Sequence, residues 1–210
     1  MRTIRRLATL TLAAAALTGF TRATHQPDGW VSLFDGKTLS GWKASENPAT
    51  FHVENGEIVV HGPRAHLFYD GPVQNHQFTD FELSVDVLTK PGANSGIYLR
   101  TEFQPDGFPS KGYEVQVNNS HTDWRRTGSL YAVQDVREGL PDNQWFTVHA
   151  TVRGRHITVK VNDRQTVDYT EPDTAKTRLT GGTVALQGHD PGSEVHYKNI
   201  RIRPLPAGSR

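Results

Sequence analysis

The chain is dominated by short segments in which apolar and polar residues alternate. The clearest segment is FTDFELSVDVLT, residues 78–89, where every second residue from Phe81 to Val87 is apolar. Successive side chains of a strand point to opposite faces of a sheet, so this pattern predicts a strand with one buried face. Similar segments recur roughly every 8–12 residues with turn signals between them, and beyond residue 23 no helical periodicity exceeds about two turns. The pattern predicts an all-β domain, either a sandwich of two sheets or a barrel.

Turn residues divide these segments into hairpins. Asn55-Gly56 lies between two apolar runs in residues 51–62 and predicts a tight hairpin turn. Residues 144–169 predict a meander, with turns at 153–154 and 162–163. In the last predicted strand the apolar residues change parity midway, so we expect a β-bulge near Lys198-Asn199.

Residues 94–119, NSGIYLRTEFQPDGFPSKGYEVQVNN, predict two strands joined by a loop. The polar face of the first strand carries Tyr98, Arg100 and Glu102, and that of the second carries Glu114, Gln116 and Asn118. In one sheet these side chains would form a patch of hydrogen-bonding groups suited to a polyhydroxylated ligand. The alternative is an ordinary solvated face, stabilised by cross-strand pairs.

Residues 1–23 differ from the rest of the chain. A basic start containing Arg2, Arg5 and Arg6 precedes an apolar run, and Thr21 and Ala23 follow in small-x-small spacing. This is the pattern of a secretory signal peptide, and the apolar run is shorter than the about 20 residues that a membrane span requires. We therefore expect export to the periplasm or the cell exterior, with residues 24–210 as a single domain.

Charge and cysteine content exclude several classes of function. Residues 1–23 hold four of the 23 Lys and Arg residues and none of the 22 acidic residues, so the remainder carries a net charge of −3. No basic run remains to favour nucleic acid or an anionic membrane as partner. The absence of cysteine excludes disulfides, a thiolate nucleophile, cysteine metal sites and a lipoprotein anchor.

Candidate catalytic groups are carboxylates and histidines. The chain has no Gly-rich phosphate loop, no GxSxG nucleophile elbow and no HExxH motif. Glu102 and Glu114 could act as the paired carboxylates of a glycosidase. Among the ten histidines, His66, His121 and His189 stand in polar or loop-flanked surroundings. No pair has clear metal-ligand spacing, although the neighbours His189 and Asp190 could contribute to a mixed site for a divalent metal.

Five segments together resemble the 3-keto-disaccharide hydrolase family. In chain order they are LFDGKTLSGW, FTDFELSVDV, PGANSGIYLRTEFQPDGFPSKGYEVQVNN, TGSLYAV and ALQGHDPGSEVHYKNIRIRPL. The resemblance covers nearly all of residues 24–210. It implies a concanavalin A-like jelly-roll β-sandwich of two antiparallel sheets, and an exported bacterial protein that acts on sugars oxidised at carbon 3.

The resemblance also suggests roles for individual residues. Asn94 and Arg100 would hold the keto or enolate oxygen. Glu114 is the first candidate for the base or acid, followed by His66 and His189. The other predicted substrate contacts are Tyr98, Glu102, Gln116, Asn118, His121, Tyr131 and Gln187. Many members carry an acidic residue shortly after the Glu-x-Gln segment, where this chain departs from the family with Asn118-Asn119 and so lacks that carboxylate.

Two other functions are alternatives, of which the second is the weaker. A non-catalytic carbohydrate-binding module would use the same sandwich and polar face. A conventional glucanase would carry closely spaced acidic residues along one strand, such as an E-x-D-x-x-E run, and the chain has none. The sugar, the linkage, the oligomeric state and the presence of a metal stay open at this point.

Overall fold

A computed structural model describes residues 28–174 and 180–206. The predicted signal peptide lies outside the described residues. Within them, antiparallel strands form two sheets, which confirms the prediction of an all-β jelly-roll sandwich. Two short 3-10 helices, Pro48–Thr50 and Val73–His76, lie in the connections. No helix in the described part of the chain is long and apolar enough to cross a membrane.

The larger sheet contains eight strands of the described chain. They are β1 (Val31–Ser32), β3 (Phe51–Glu54), β4 (Glu57–His61), β6 (Phe81–Thr89), β9 (Phe146–Arg153), β10 (His156–Val161), β11 (Arg164–Thr170) and β13 (Glu194–Pro204). Their order is β11-β10-β9-β6-β13-β4-β3, and β1 pairs with β13. The predicted meander is thus confirmed as β9 to β11. The predicted bulge in β13 is also confirmed, because its register with β6 shifts between Lys198 and Arg201.

The smaller sheet contains five strands and carries the polar residues singled out above. They are β2 (Trp42–Ala44), β5 (Ala65–Tyr69), β7 (Ser95–Thr101), β8 (Tyr113–Val117) and β12 (Thr183–Gly188), in the order β2-β5-β12-β7-β8. The long loop of residues 102–112 joins β7 to β8. The β7–β8 pair forms one edge of this sheet, and β12, which is distant in sequence, pairs with β7 and carries β5 on its other side.

Alternation along each strand builds the core between the sheets. The apolar residues of β6 from Phe81 to Val87 are at most 2% exposed and belong to the same buried cluster as Ile97 and Leu99 of β7 and Val115 of β8. The predicted hairpin is also present: Asn55 and Gly56 both have positive φ, at 50° and 83°, as a two-residue turn of this kind requires. Because the inner faces are filled by apolar side chains, polar ones are directed to the outer faces.

Candidate active site

The outer face of the five-stranded sheet carries the candidate site. Tyr98 lies on β7, Glu114 and Gln116 on β8, and Gln187 on β12. Tyr98 is the register partner of both Glu114 and Ala185, so the three strands bring these side chains onto one surface. Period-two alternation therefore places their apolar neighbours in the core and the polar groups opposite it.

A cleft of about 530 Å³ lies over this face. Seven of the predicted site residues line it: Asn94, Tyr98, Glu114, Gln116, Tyr131, Gln187 and His189. Residues that were not predicted complete the lining, among them Phe108, Ser110, Tyr113, Asp123 and Val133. Most of these lie in loops, which lack the regular alternation that reveals the direction of side chains in a strand. The turn-rich run QPDGFPSKG was the available signal that a loop of the site lies there.

Glu114 lies at the centre of the hydrogen-bond network in the cleft. Its Oε2 accepts a hydrogen bond from the Tyr98 hydroxyl at 3.0 Å, and its Oε1 accepts one from Nε2 of Gln187 at 3.0 Å. Burial raises the pKa of Glu114 to about 7. The two hydrogen bonds favour the charged form and lower the pKa, but burial has the larger effect. Near neutral pH this carboxyl group can therefore both accept and donate a proton, as a general base or acid must.

A glycine on the neighbouring strand gives the Glu114 carboxyl its space. Gly96 is the register partner of Gln116, and a Cβ atom there would collide with Oε1 of Glu114. The close approach of β7 to the carboxyl group explains why glycine occupies a strand interior, where it is otherwise unfavourable. The glycine thus contributes to the position of the acid.

Two amides form the end of the cleft near Glu114. Nε2 of Gln116 donates to Oδ1 of Asn94 at 2.9 Å, and both residues are at most 3% exposed. The backbone N–H of Asn94 donates in turn to the Ser193 hydroxyl at 2.9 Å. These bonds orient the amides, which suits them to position a ligand oxygen.

Two histidines and an aspartate lie together beside the cleft. The donor atoms of His121, His189 and Asp190 are all within 4.8 Å of one another. Nδ1 of His189 pairs with Oδ2 of Asp190 at 2.7 Å, and Nδ1 of His121 accepts from the backbone N–H of Asp123 at 3.1 Å. Imidazole and carboxylate are ligands that several divalent metals accept, so these three residues could hold one cation.

Arg100 is not in the cleft. The prediction that it shares a face with Tyr98 is wrong, because β7 contains a bulge: Thr101 pairs with Thr183 while Tyr98 pairs with Ala185, and Arg100 adopts a φ of 51°. Its guanidinium donates to the carbonyl oxygens of Thr79 and Gly154 and forms an ion pair with Asp80 at 3.2 Å. Its observed contacts thus join the two sheets. In this position Arg100 cannot hold the keto or enolate oxygen, the role that the resemblance implied.

Four other predicted residues also fall outside the cleft lining. Glu102 is exposed and lines a separate cavity of about 210 Å³ with Phe103 and Lys43. Asn118 is buried, and its Nδ2 donates to the carbonyl oxygens of Asp123 and Arg125, so it shapes the following loop.

The remaining two are histidines. His121 adjoins His189, with ring centroids 5.7 Å apart, but does not itself line the cleft. His66 is fully buried, with its ring edge-on to those of Tyr98 and Phe108. It therefore lies beneath the 102–112 loop and does not reach the open cleft.

Comparison with known proteins identifies the family. Residues 29–203 match the model of the 3-keto-α-glucoside-1,2-lyase-like domain. A 3-keto-disaccharide hydrolase of Bacteroides thetaiotaomicron is 27% identical to this chain, over 85% of the chain and 79% of that protein.

Solved structures share the fold. A candidate glycosyl hydrolase of Parabacteroides distasonis superposes with a TM-score of 0.71 at 20% identity, covering 85% of this chain and 95% of that one. A carbohydrate-binding module of Bacillus subtilis gives a TM-score of 0.58 at 12% identity, covering 77% of this chain and 94% of that one. The family match spans almost the whole described chain, so this chain belongs to the 3-keto-α-glucoside-1,2-lyase-like domain family.

Proposed function

We propose that this protein cleaves 3-keto-glycosides, with Glu114 as the base that removes the proton at C2. The observation that carries the proposal is the Glu114 carboxyl, held by Tyr98 and Gln187 in a cleft with its pKa raised to about 7. A ketone at C3 acidifies the C2 proton, so a base of this strength is adequate where an ordinary glycoside would resist it. The family match and the name of the Bacteroides relative support the same substrate class.

The proposed reaction begins with transfer of the C2 proton to the Glu114 carboxylate. The electrons of the C2–H bond form an enediolate with C2 and C3, whose oxygen accepts a hydrogen bond from the amide group of Asn94. Gln116 holds that amide by donating to its oxygen. A preorganised donor at the developing charge is an effective form of transition-state stabilisation.

Loss of the aglycone completes the elimination. The C1–O bond breaks, a C1=C2 double bond forms, and the leaving oxygen takes a proton from His189, which the Asp190 carboxylate orients through Nδ1. The product is an unsaturated 3-keto sugar. Addition of water gives the net hydrolysis and restores the enzyme: His189 takes a proton from the water, the resulting hydroxide adds to C1, and the proton on Glu114 returns to C2.

The experiment is an incubation of purified protein with a 3-keto-glucoside and with its unoxidised parent, each with added divalent cation and with chelator. Mass spectrometry measures the released aglycone. Release from the keto sugar alone is the expected result, and loss of that release with chelator would add a metal to the site. Release from the parent sugar would instead indicate conventional glycosidase chemistry.

A binding module is the second candidate function. It is favoured by the exposed ring of Tyr131 at the edge of the cleft, since exposed aromatic rings commonly stack on sugars. Binding of both sugars with release from neither would support this function and contradict the enzymatic one.

We also propose that the chain is exported, on the basis of the signal-peptide pattern of residues 1–23. Fractionation of cells expressing the full chain tests this, and the expected product lies outside the cytoplasm and lacks the first residues. Retention of the uncleaved chain in the cytoplasm would overturn it.

A further inference from the structure

The His66 imidazole is a buried polar group that the proposed reaction does not use. The residue has no exposed surface, and within the described residues neither ring nitrogen has a hydrogen-bond partner. Buried polar side chains are nearly always paired, because an unpaired one forfeits its hydrogen bonds to water. Burial accordingly lowers the pKa of His66 to about 4, which keeps the ring neutral at pH 7.

A second unpaired group lies on the adjacent strand. Oε1 of Gln187 is buried and has no partner among the described residues, although its Nε2 is bonded to Glu114 and Tyr98. His66 and Gln187 are register partners across β5 and β12, so their side chains leave the sheet side by side on the same face. Two unsatisfied groups therefore lie next to each other, at the inner end of the Glu114 network.

Phe108 covers the His66 ring. Its ring lines the cleft on one side and contacts His66 on the other, with ring centroids 5.7 Å apart, although 46% of the residue is exposed. An exposed phenylalanine that covers a buried histidine is a removable seal, because little buried apolar area is lost when it moves.

Ionic contacts hold the loop that carries Phe108. Arg64 donates to both carboxylate oxygens of Glu46, at 3.0 and 2.9 Å, and reaches Asp106 of the loop at 3.2 Å. The backbone N–H of Gly107 donates to Glu46 at 3.2 Å. We call Glu46, Arg64 and Asp106 the latch. The two contacts that reach the loop, through Asp106 and the Gly107 N–H, are single and partly exposed, so the loop can be released at a modest cost.

We propose that His66 and Oε1 of Gln187 form a closed subsite for a hydroxyl group of the substrate, which becomes accessible when the latch opens and Phe108 moves. A neutral imidazole has one donor and one acceptor, and the amide oxygen is a second acceptor. A sugar hydroxyl can donate to Oε1 of Gln187 and accept from the imidazole N–H of His66, which gives both residues a partner. The sugar as ligand rests on the proposed function, whereas the closed subsite itself rests only on the contacts above.

The seal is tested by the reaction of His66 with diethyl pyrocarbonate, followed by peptide mapping with mass spectrometry. In Phe108→Ala we expect His66 to react at least tenfold faster than in the wild type at pH 7. Phe103→Ala is the matched control, because Phe103 is 41% exposed in the same loop but contacts Phe68. Unchanged reactivity in Phe108→Ala, or equal acceleration in both variants, would overturn the seal.

The latch is tested with Glu46→Gln, which weakens the hold on Arg64 and on the loop without removing any apolar packing. We expect His66 to react severalfold faster than in the wild type. Glu138→Gln makes the same chemical change in an ion pair outside the loop, that with Arg164 at 3.4 Å, and should leave the rate unchanged. Equal rates in the two variants would contradict a latch.

The ligand is tested with the 3-keto derivative of 1,5-anhydroglucitol, which has no aglycone to lose. At saturation it should protect His66 of the Phe108→Ala variant from modification. In the wild type it should shift the ¹⁵N NMR resonances of the His66 imidazole. Binding that neither protects His66 nor shifts its resonances would overturn the subsite. This outcome includes the case in which an ordered water alone fills it. Protection without any cleavage of 3-keto-glucosides would support the subsite and overturn the proposed reaction instead.

Discussion

At the scale of single residues, Glu114 determines what the cleft can do. The carboxyl group combines a raised pKa with two donors that hold its orientation. Desolvation has the larger effect on its titration, and the Tyr98 and Gln187 contacts moderate it. The result is a base near neutrality in fixed geometry beside two ordered amides.

Replacement of this residue gives the first prediction. In Glu114→Gln we expect kcat on a 3-keto-glucoside to fall by about 10²–10⁴, the usual contribution of a positioned base, with a much smaller change in KM. Steady-state kinetics with aglycone release as the signal would measure it. Glu102→Gln, a carboxylate outside the cleft, serves as control and should retain wild-type kcat. Full turnover by Glu114→Gln would remove Glu114 from the mechanism.

The pH dependence of the rate is the second prediction at this scale. A base must be ionised to accept the C2 proton, so kcat/KM should rise with pH through an apparent pKa near 7, the value for Glu114. With an ordinary glutamate as base, kcat/KM would rise around an apparent pKa of about 4.3. A profile that is already flat from pH 5 upward would show that the group in control is not this carboxyl.

At the scale of elements, the bulge in β7 decides which residues reach the cleft. Before the bulge, Tyr98 points outward with Glu114 of the paired strand, while the positive φ of Arg100 turns its side chain toward Asp80 and the loop at Gly154. The bulge depends on the register with β12, so the local alternation of β7 contained no sign of it.

Removal of the Arg100 side chain tests the structural role of this bulge. Arg100→Met should lower the free energy of unfolding by about 3–5 kcal/mol, because the buried Asp80 loses its ion pair with Arg100. Denaturant titration measures this loss, and kcat per folded molecule should change little. Arg164→Met breaks an exposed pair and should cost less than about 1 kcal/mol. A stable Arg100→Met protein without activity would indicate that Arg100 contributes directly to the active site.

At the scale of the whole molecule, the titrations of two buried groups change the stability of the fold in opposite directions over the same pH range. The folded-state pKa of Glu114 is raised to about 7, so its contribution to stability is greatest at low pH and is lost as the pH rises from about 4.5 to 7. The folded-state pKa of His66 is lowered to about 4, so its contribution is present above about 6.5 and is lost as the pH falls toward 4. The two effects therefore offset each other.

Single substitutions should separate these effects. Between pH 6.5 and 4.5, Glu114→Gln should lose stability on acidification more steeply than the wild type, because only the histidine contribution remains. His66→Phe should show the reverse trend relative to the wild type. Free energies of unfolding from denaturant titration at several pH values measure both slopes. Parallel curves for all three proteins would contradict the assigned directions.

The sequence by itself determined the all-β class, the hairpin at Asn55-Gly56, the bulge in β13 and the shared face of Glu114 and Gln116. These features depend on neighbours a few residues apart, through alternation and the φ values that turns require. Only the tertiary structure decided the rest: Arg100 leaves the cleft, His66 lies sealed under Phe108, and Glu114 meets Gln187 from a strand 73 residues away. The physical reason is that burial and hydrogen-bond partners come from strands paired at long range, and these set the pKa and the direction of each polar side chain.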